Sequence, residues 1–466
     1  MDVNGKRVLV VGLGKSGVAS ALFLQKRGAR VSVSDAKSPE QLRQEIPVLL
    51  DAGITVETGE HGERTFREQD LIVVSPGVPV DMPLLARARE RGIPVIGEVE
   101  LAYQFLKGNI VAVTGSNGKT TTTTLVGDVI AASGRDTLVG GNIGTPAITF
   151  VETATEQTWI VLEISSFQLE TVESFRPKIA AVLNVTPDHL DRHYTLGNYT
   201  AAKKRIFENQ KAGDFAILNA DDPTCVAMGE RVKSQVYWFS RQHQVERGAF
   251  VRGEDIVWRD ANREQVILPV REIPLKGSHN LENVLATVCV GMLVKAEPAA
   301  IRRAVEEFRA VEHRLEYVGT VRGVEYYNDS KATNVDATIK ALESFPGRLH
   351  LILGGKDKGS DYSVLNDLIA QRVKRVYTIG AASAKIESQI RGAEVLHSET
   401  LDAAVKRASE LTSAGDVVLL APACASFDQF DSYEHRGRVF KGLVRELAAR
   451  EQERETPATS KQGGDR

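Results

Sequence analysis

Val111-Ala-Val-Thr-Gly-Ser-Asn-Gly-Lys-Thr-Thr-Thr122 is an apolar run that breaks into a glycine-bearing turn and then into a helix-forming series. A strand over Asn109–Thr114 is expected to enter the turn, and a helix over 120 to about 133 to leave it. Gly115 and Gly118 let backbone N–H groups in the Ser116–Asn117 turn approach phosphate oxygens at a helix N-terminus. Lys119 can bridge the β- and γ-phosphates of ATP, and the hydroxyl of Thr120 or Thr121 can take a place on Mg²⁺. The usual spacing GxxxxGK[ST] would set its first glycine at Val113, so this is a shortened form of the cradle. A lone GKT is more often an ordinary turn; a strand before, a helix after and two glycines reverse that reading.

The same rhythm continues on both sides. Towards the N-terminus, Arg7–Val11, 18–27 and 30–34 read as strand, helix and strand. Downstream, apolar runs at 159–162, 179–183 and 216–218 extend a large parallel sheet, and runs at 349–353, 375–379 and 416–420 form a third doubly wound sheet. The fold class is α/β with three domains: 1–97, a central 98–310 and 311–450, followed by a polar stretch, 451–466, read as a frayed tail.

A length of 466 residues exceeds what one core usually supports, and 42% hydrophobic with 26% charged residues is ordinary globular composition. The net charge of -3 comes from 58 basic and 61 acidic residues scattered along the chain, which offers no basic face for nucleic acid. The longest apolar runs are strand-sized, which excludes membrane insertion by helices, and the N-terminus does not look like a signal peptide, so a cytoplasmic location is expected. Cys225, Cys289 and Cys424 are widely spaced and form no CxxC pair, which fits a reducing compartment.

Gly12-Leu-Gly-Lys-Ser-Gly17 contains GKS, but Leu9 stands where a phosphate loop needs glycine. It satisfies GxGxxG after a strand, with Asp35 at the end of the next strand; a nucleotide-sugar diphosphate suits that turn as well as NAD does. Trp159-Ile-Val-Leu-Glu163 is a strand ending in a carboxylate, where an ATP site finds a further Mg²⁺ ligand. Asn184-Val-Thr-Pro-Asp-His-Leu-Asp-Arg-His193 follows a strand and gathers metal-capable side chains, with His189 the candidate. Zinc is rejected, because His189 and His193 lack the HExxH glutamate and a third ligand. Lys203 and Lys204 lie on an apparent helix, 199–208, where a solvated face is the plain expectation.

GLGKSG, SPG at 75–77, TGSNGKTT, GNIGTP at 141–146, LEISSFQLE, NVTPDHLDRH, YTAAKKRIFEN, KGSHNLEN, NDSKATN, LGGKDKG and PACASFDQF, in this order and across nearly the whole chain, resemble the Mur ligase family. The resemblance implies a Rossmann-like N-terminal domain for a uridine nucleotide, a central P-loop-type ATPase domain and a Rossmann-like C-terminal domain that brings the amino acid. It implies a monomer that uses ATP and two Mg²⁺ ions to join D-glutamate to UDP-N-acetylmuramoyl-L-alanine through an acyl phosphate. Lys203 would be a carbamylated lysine helping to hold Mg²⁺, and Lys119, Glu163 and His189 would complete the catalytic set. Asn142 and His189 would serve the muramoyl substrate and metal cluster. Asn280, Asn283, Arg314 and Asp329 would surround adenine, ribose and phosphates. Ser16, Asp35 and Ser75 would contact uracil or diphosphate. Lys331, Thr333, Lys358, Ser426, Phe427 and Tyr433 would meet D-glutamate or the reacting centre, with the choice between Lys356 and Lys358 open. The absence of a DNPR-like stretch favours glutamate over diaminopimelate. Other readings are a folylpolyglutamate-type or L-alanine-adding relative, an NAD-dependent dehydrogenase resting on GxGxxG and Asp35, and a nucleotide-gated binding protein.

Overall fold

The computed structural model describes residues 1–261, 263–275, 277–309 and 312–455, with side chains through 451. They form two compact units, Met1–Pro274 with Leu281–Phe308, and Leu275–Asn280 with the chain from Arg309 onward. The segment 275–280, which periodicity leaves inside the central domain, therefore clusters with the second unit.

The first unit holds two sheets. In one, β1 (Arg7–Val11), β2 (Arg30–Asp35), β3 (Thr55–Thr58), β4 (Leu71–Val74) and β5 (Val95–Gly97) run parallel in the order β3-β2-β1-β4-β5. Residues Val8 to Val11 and Leu71 to Val74 are buried without alternation, as expected of strands covered on both faces. The other has nine strands: β6 (Asn109–Thr114), β7 (Thr137–Gly141), β8 (Trp159–Glu163), β9 (Ile179–Val182), β10 (Phe215–Asn219), β11 (Gln235–Ser240), β12 (Gly248–Arg252), β13 (Asp255–Asp260) and β14 (Arg263–Pro269). Their order is β14-β13-β12-β11-β10-β9-β6-β8-β7. From β6 the chain moves to β7 and β8 on one side and returns to β9 on the other, so the loops leaving β6, β8 and β9 open together at the carboxyl edge, a topological switch point. The pairs β12–β13 and β13–β14 are antiparallel.

The second unit carries β15 (Glu316–Val321), β16 (Val324–Asn328), β17 (Leu349–Gly354), β18 (Val373–Ile379), β19 (Glu394–Glu399) and β20 (Val417–Leu420), ordered β15-β16-β20-β17-β18-β19 and parallel except for β15 against β16. The three-sheet α/β architecture agrees with the reading from periodicity.

Several bounds differ. The first helix, Lys15–Lys26, starts at the glycine turn itself, and the helix expected over 199–208 runs Leu196–Lys204 before a 3-10 turn, Arg205–Phe207. The final helix, Tyr433–Glu455, passes beyond residue 450, so 451–455 are helical rather than frayed, while 456–466 lie outside the described residues. Among the described residues no helix is long and apolar enough to cross a membrane. Cys225, Cys289 and Cys424 are buried and unbridged.

Candidate active site

Register brings the first cluster together. Val113, Glu163 and Gly141 are partners across β6, β8 and β7, so Gly115, Glu163 and Asn142 emerge at one edge. The glycine loop is pinned to the segment after β9. Asn117 N–H donates to Asn184 Oδ1 at 2.9 Å, Asn184 Nδ2 returns a bond to Asn117 O at 3.2 Å, and the Ser116 hydroxyl donates to Thr186 O at 2.9 Å. Gly118 has φ 83°, and a Cβ there would lie 2.2 Å from Asn283 Oδ1. The tight approach requires glycine. Asn283 Oδ1 also accepts the Thr122 hydroxyl at 3.2 Å, which ties the helix Lys119–Ala132 to the helix Ser278–Leu293.

Lys119 Nζ folds over the loop and donates to Gly115 O and Ser116 O, each at 2.8 Å. Thr120 hydroxyl donates to Glu163 Oε2 at 2.7 Å and Asn142 Nδ2 to Glu163 Oε1 at 2.8 Å. Of the two threonines left open, Thr120 reaches Glu163; Thr121 is buried in the first helical turn. Glu163 is only 1% exposed and makes no ion pair among the described residues. A buried carboxylate that accepts from a hydroxyl and an amide, with Lys203 also within electrostatic reach, suits a divalent cation.

Lys203 is also 1% exposed, which overturns the solvated-face expectation. Its Nζ donates to Gly115 O at 2.8 Å and lies 4.4 Å from the centre of the Tyr199 ring. Burial, reinforced by the Lys119 ammonium, pushes its pKa well below the usual lysine value. The Tyr199 hydroxyl lies 3.2 Å from Ser116 Oγ. Lys204, the next residue, is half-buried. His189 adopts a left-handed backbone, φ 52°, and its ring meets Phe167 edge-on at 4.9 Å. His193, by contrast, is buried, with Nε2 2.9 Å from Ser166 Oγ, and burial lowers its pKa. Asn184 and Tyr199 escaped the sequence reading; the position of Tyr199 one helical turn before Lys203 was the available signal.

At the first sheet, the Ser75 hydroxyl donates to Gly12 O at 2.7 Å, and Asp35 accepts the N–H groups of Leu13 at 2.6 Å and Lys37 at 2.8 Å. Both side chains shape the glycine turn, and half-buried Ser16 stands in the first turn of the helix that follows it. A Cβ on Gly17 would lie 1.9 Å from Gly12 O, which explains the last glycine of GLGKSG.

The second unit gathers the remaining residues. Buried Asp329 accepts Leu315 N–H at 3.3 Å, and burial, opposed by Arg314, raises its pKa to about 7. Lys331 Nζ stands 3.7 Å over the Tyr433 ring, and Thr333 N–H donates to Lys331 O at 2.8 Å. Arg436, fully buried, donates to Ser330 Oγ at 2.9 Å, Ser330 O at 2.8 Å and Cys424 O at 3.2 Å, so it clamps the loop of Lys331 to the loop of Ser426. Ser426 is buried, whereas Phe427 is 69% exposed and therefore no core aromatic. Lys356 pairs through its backbone with Ala425, and Asp357 is held by Lys385 at 2.8 Å and Tyr362 at 2.7 Å. Lys358 follows on the same loop. Asn280, buried, falls in this unit and Asn283 in the first. Glu312, His313 and Glu316 are close enough for a cation, but the Lys441 ammonium already bonds both carboxylates, at 2.5 and 2.8 Å.

Family models match along the chain: Mur ligase MurD-like N-terminal domain over 6–97, Mur ligase middle domain over 113–291, and Mur ligase glutamate ligase domain over 313–424. A UDP-N-acetylmuramoylalanine--D-glutamate ligase of Koribacter versatilis is 69% identical over 451 residues, 97% of this chain and 100% of that protein. Another protein of that name, from Acidobacterium capsulatum, is 58% identical over 447 residues, covering 95% and 97%. Among solved structures, MurF ligase from Thermotoga maritima in complex with ADP shares the fold with TM-score 0.59 at 16% identity, covering 97% of this chain and 96% of that one. Three consecutive domain models and near-full-length identity of this order show that the chain belongs to the Mur ligase family.

Proposed function

We propose that the chain is an ATP-dependent ligase that joins D-glutamate to UDP-N-acetylmuramoyl-L-alanine, as a monomer in the cytoplasm. The observation that carries the reading is the convergence of Lys119 and buried Lys203 on the carbonyl of Gly115, beside the Glu163–Thr120 pair. The names of the near-full-length relatives supply the substrates.

A carboxylate is a poor electrophile, so the γ-phosphoryl of ATP is transferred to the alanine carboxylate, breaking its bond to ADP and forming an acyl phosphate. The amine of D-glutamate attacks that carbonyl, loses a proton and expels inorganic phosphate. Loop N–H groups and Lys119 hold the phosphates, and Asn142 positions Glu163. Burial and the Lys119 ammonium favour the neutral form of Lys203, which would attack carbon dioxide and release a proton, converting the amine into a carbamate beside Lys119. Two magnesium ions, held by Thr120, Glu163, His189 and carbamylated Lys203, would neutralise charge on the transferring phosphoryl group. Ser16, Asp35 and Ser75 form the uridine diphosphate turn. Asn280, Asn283, Arg314 and Asp329 serve the adenine nucleotide, and Lys331, Thr333, Lys358, Ser426, Phe427 and Tyr433 the acceptor, whose two carboxylates call for lysine and hydroxyl donors.

Phosphate release from ATP is measured with UDP-N-acetylmuramoyl-L-alanine and, separately, D-glutamate, L-glutamate, L-alanine or diaminopimelate. Release with D-glutamate alone is expected. Release with a different amino acid corrects the acceptor, and no release with any removes the ligase reading.

A further inference from the structure

One side chain carries the central sheet to the glycine turn of the first sheet. Arg192 Nη2 donates to Val78 O at 2.9 Å and to Glu170 Oε2 at 2.8 Å. Val78 in turn packs on the turn, its Cγ2 only 2.8 Å from where a Cβ of Gly12 would stand, and Gly12 O is the acceptor of the Ser75 hydroxyl. On its other side the Arg192 guanidinium lies 5.2 Å over the Phe167 ring, whose edge meets His189 at 4.9 Å. With 16% of its side chain exposed, Arg192 spans these groups with little freedom to do otherwise. Tyr194 adds a parallel tie, its hydroxyl donating to Asp81 at 3.1 Å.

We propose that Arg192 is a positioning residue that couples the Gly12 turn to His189, so that the nucleotide end of the substrate sets the posture of His189 and not only the strength of binding. This rests on reading the turn as the uridine diphosphate site. Binding energy gained far from the reacting carboxylate would then appear in kcat as well as in KM.

The test compares UDP-N-acetylmuramoyl-L-alanine with its fragment lacking the uridylyl group, N-acetylmuramoyl-L-alanine 1-phosphate, in the full-length enzyme. Wild type is expected to lose kcat as well as affinity with the fragment. In Arg192→Met the ratio of the two kcat values should fall about tenfold, the scale of a coupling carried by one packed contact. A purely structural role would lower both kcat values alike and leave the ratio unchanged. Arg192→Lys, which keeps a donor for Val78 but not the flat group over Phe167, should restore part of the ratio. Val78→Ala attacks the same link from the turn and keeps the test open if Arg192→Met does not fold. A ratio unchanged in Arg192→Met, or in Val78→Ala when the former is unfolded, overturns the coupling. Failure of UDP to compete with substrate on wild type overturns the reading of the turn as well.

Discussion

Replacing Lys203 by methionine should abolish phosphate release and at the same time stabilise the protein. The amine is buried and held well below its usual pKa by desolvation and by Lys119, so below the ordinary lysine pKa the folded chain binds fewer protons at this group than the unfolded one. Stability therefore falls as pH drops below the unfolded value of about 10.4. Methionine, of similar volume, removes the cost and forfeits one hydrogen bond to Gly115 O, worth about 1 kcal/mol, while that carbonyl keeps Lys119. The variant should therefore melt higher than wild type at pH 7.5, and by a smaller margin at pH 8.5. Melting is followed at both pH values in buffer freed of carbon dioxide. Adding bicarbonate should then stabilise wild type and leave the variant unmoved. A variant no more stable than wild type, or a difference that does not shrink as pH rises, refutes the argument.

Glu98 is buried with a pKa raised to about 7, above its unfolded value, so its contribution to stability is present at low pH and lost as pH rises through 7. Glu98→Gln should remove that loss and melt higher than wild type at pH 8 by the equivalent of about 3 kcal/mol, with little difference below pH 4.5. Gly118→Ala should weaken ATP binding about tenfold, measured by titration, because the new methyl displaces Asn283 and a positive φ strains the loop. Arg436→Met should raise the KM for the amino acid and lower the melting of the second unit, since removing a buried guanidinium takes the donor from Ser330 O and Cys424 O, at a cost of about 1–3 kcal/mol for each acceptor left unmade.

The phosphate loop was legible because its signal is local: two glycines, a lysine and a preceding strand lie within a dozen residues. Glu163 was legible for the same reason, as a charge ending an apolar run. Lys203 was not, since helix periodicity cannot tell which face meets a carbonyl 88 positions earlier; motif resemblance alone marked it. Arg192 and Asn184 act across such distances too. The strands β12 to β14 were missed although Gly253 marks a tight turn, because their short runs lie beyond the rhythm of parallel units. The helical stretch 451–455 was misread as tail because it lacks an apolar stripe; strong helix formers such as Glu and Arg, with an i,i+4 pair between Glu446 and Arg450, sustain that helix without one.

Gly115 O accepts from two amines at once, and this sets an order of events. A triphosphate that draws Lys119 off the carbonyl replaces a neighbouring positive charge with several negative ones, which raises the proton affinity of Lys203. The amine would then be more reactive towards carbon dioxide before the nucleotide arrives than after it. On the proposed carbamylation of Lys203, that modification would therefore be faster before ATP is loaded, and an enzyme first saturated with nucleotide would acquire its carbamate more slowly.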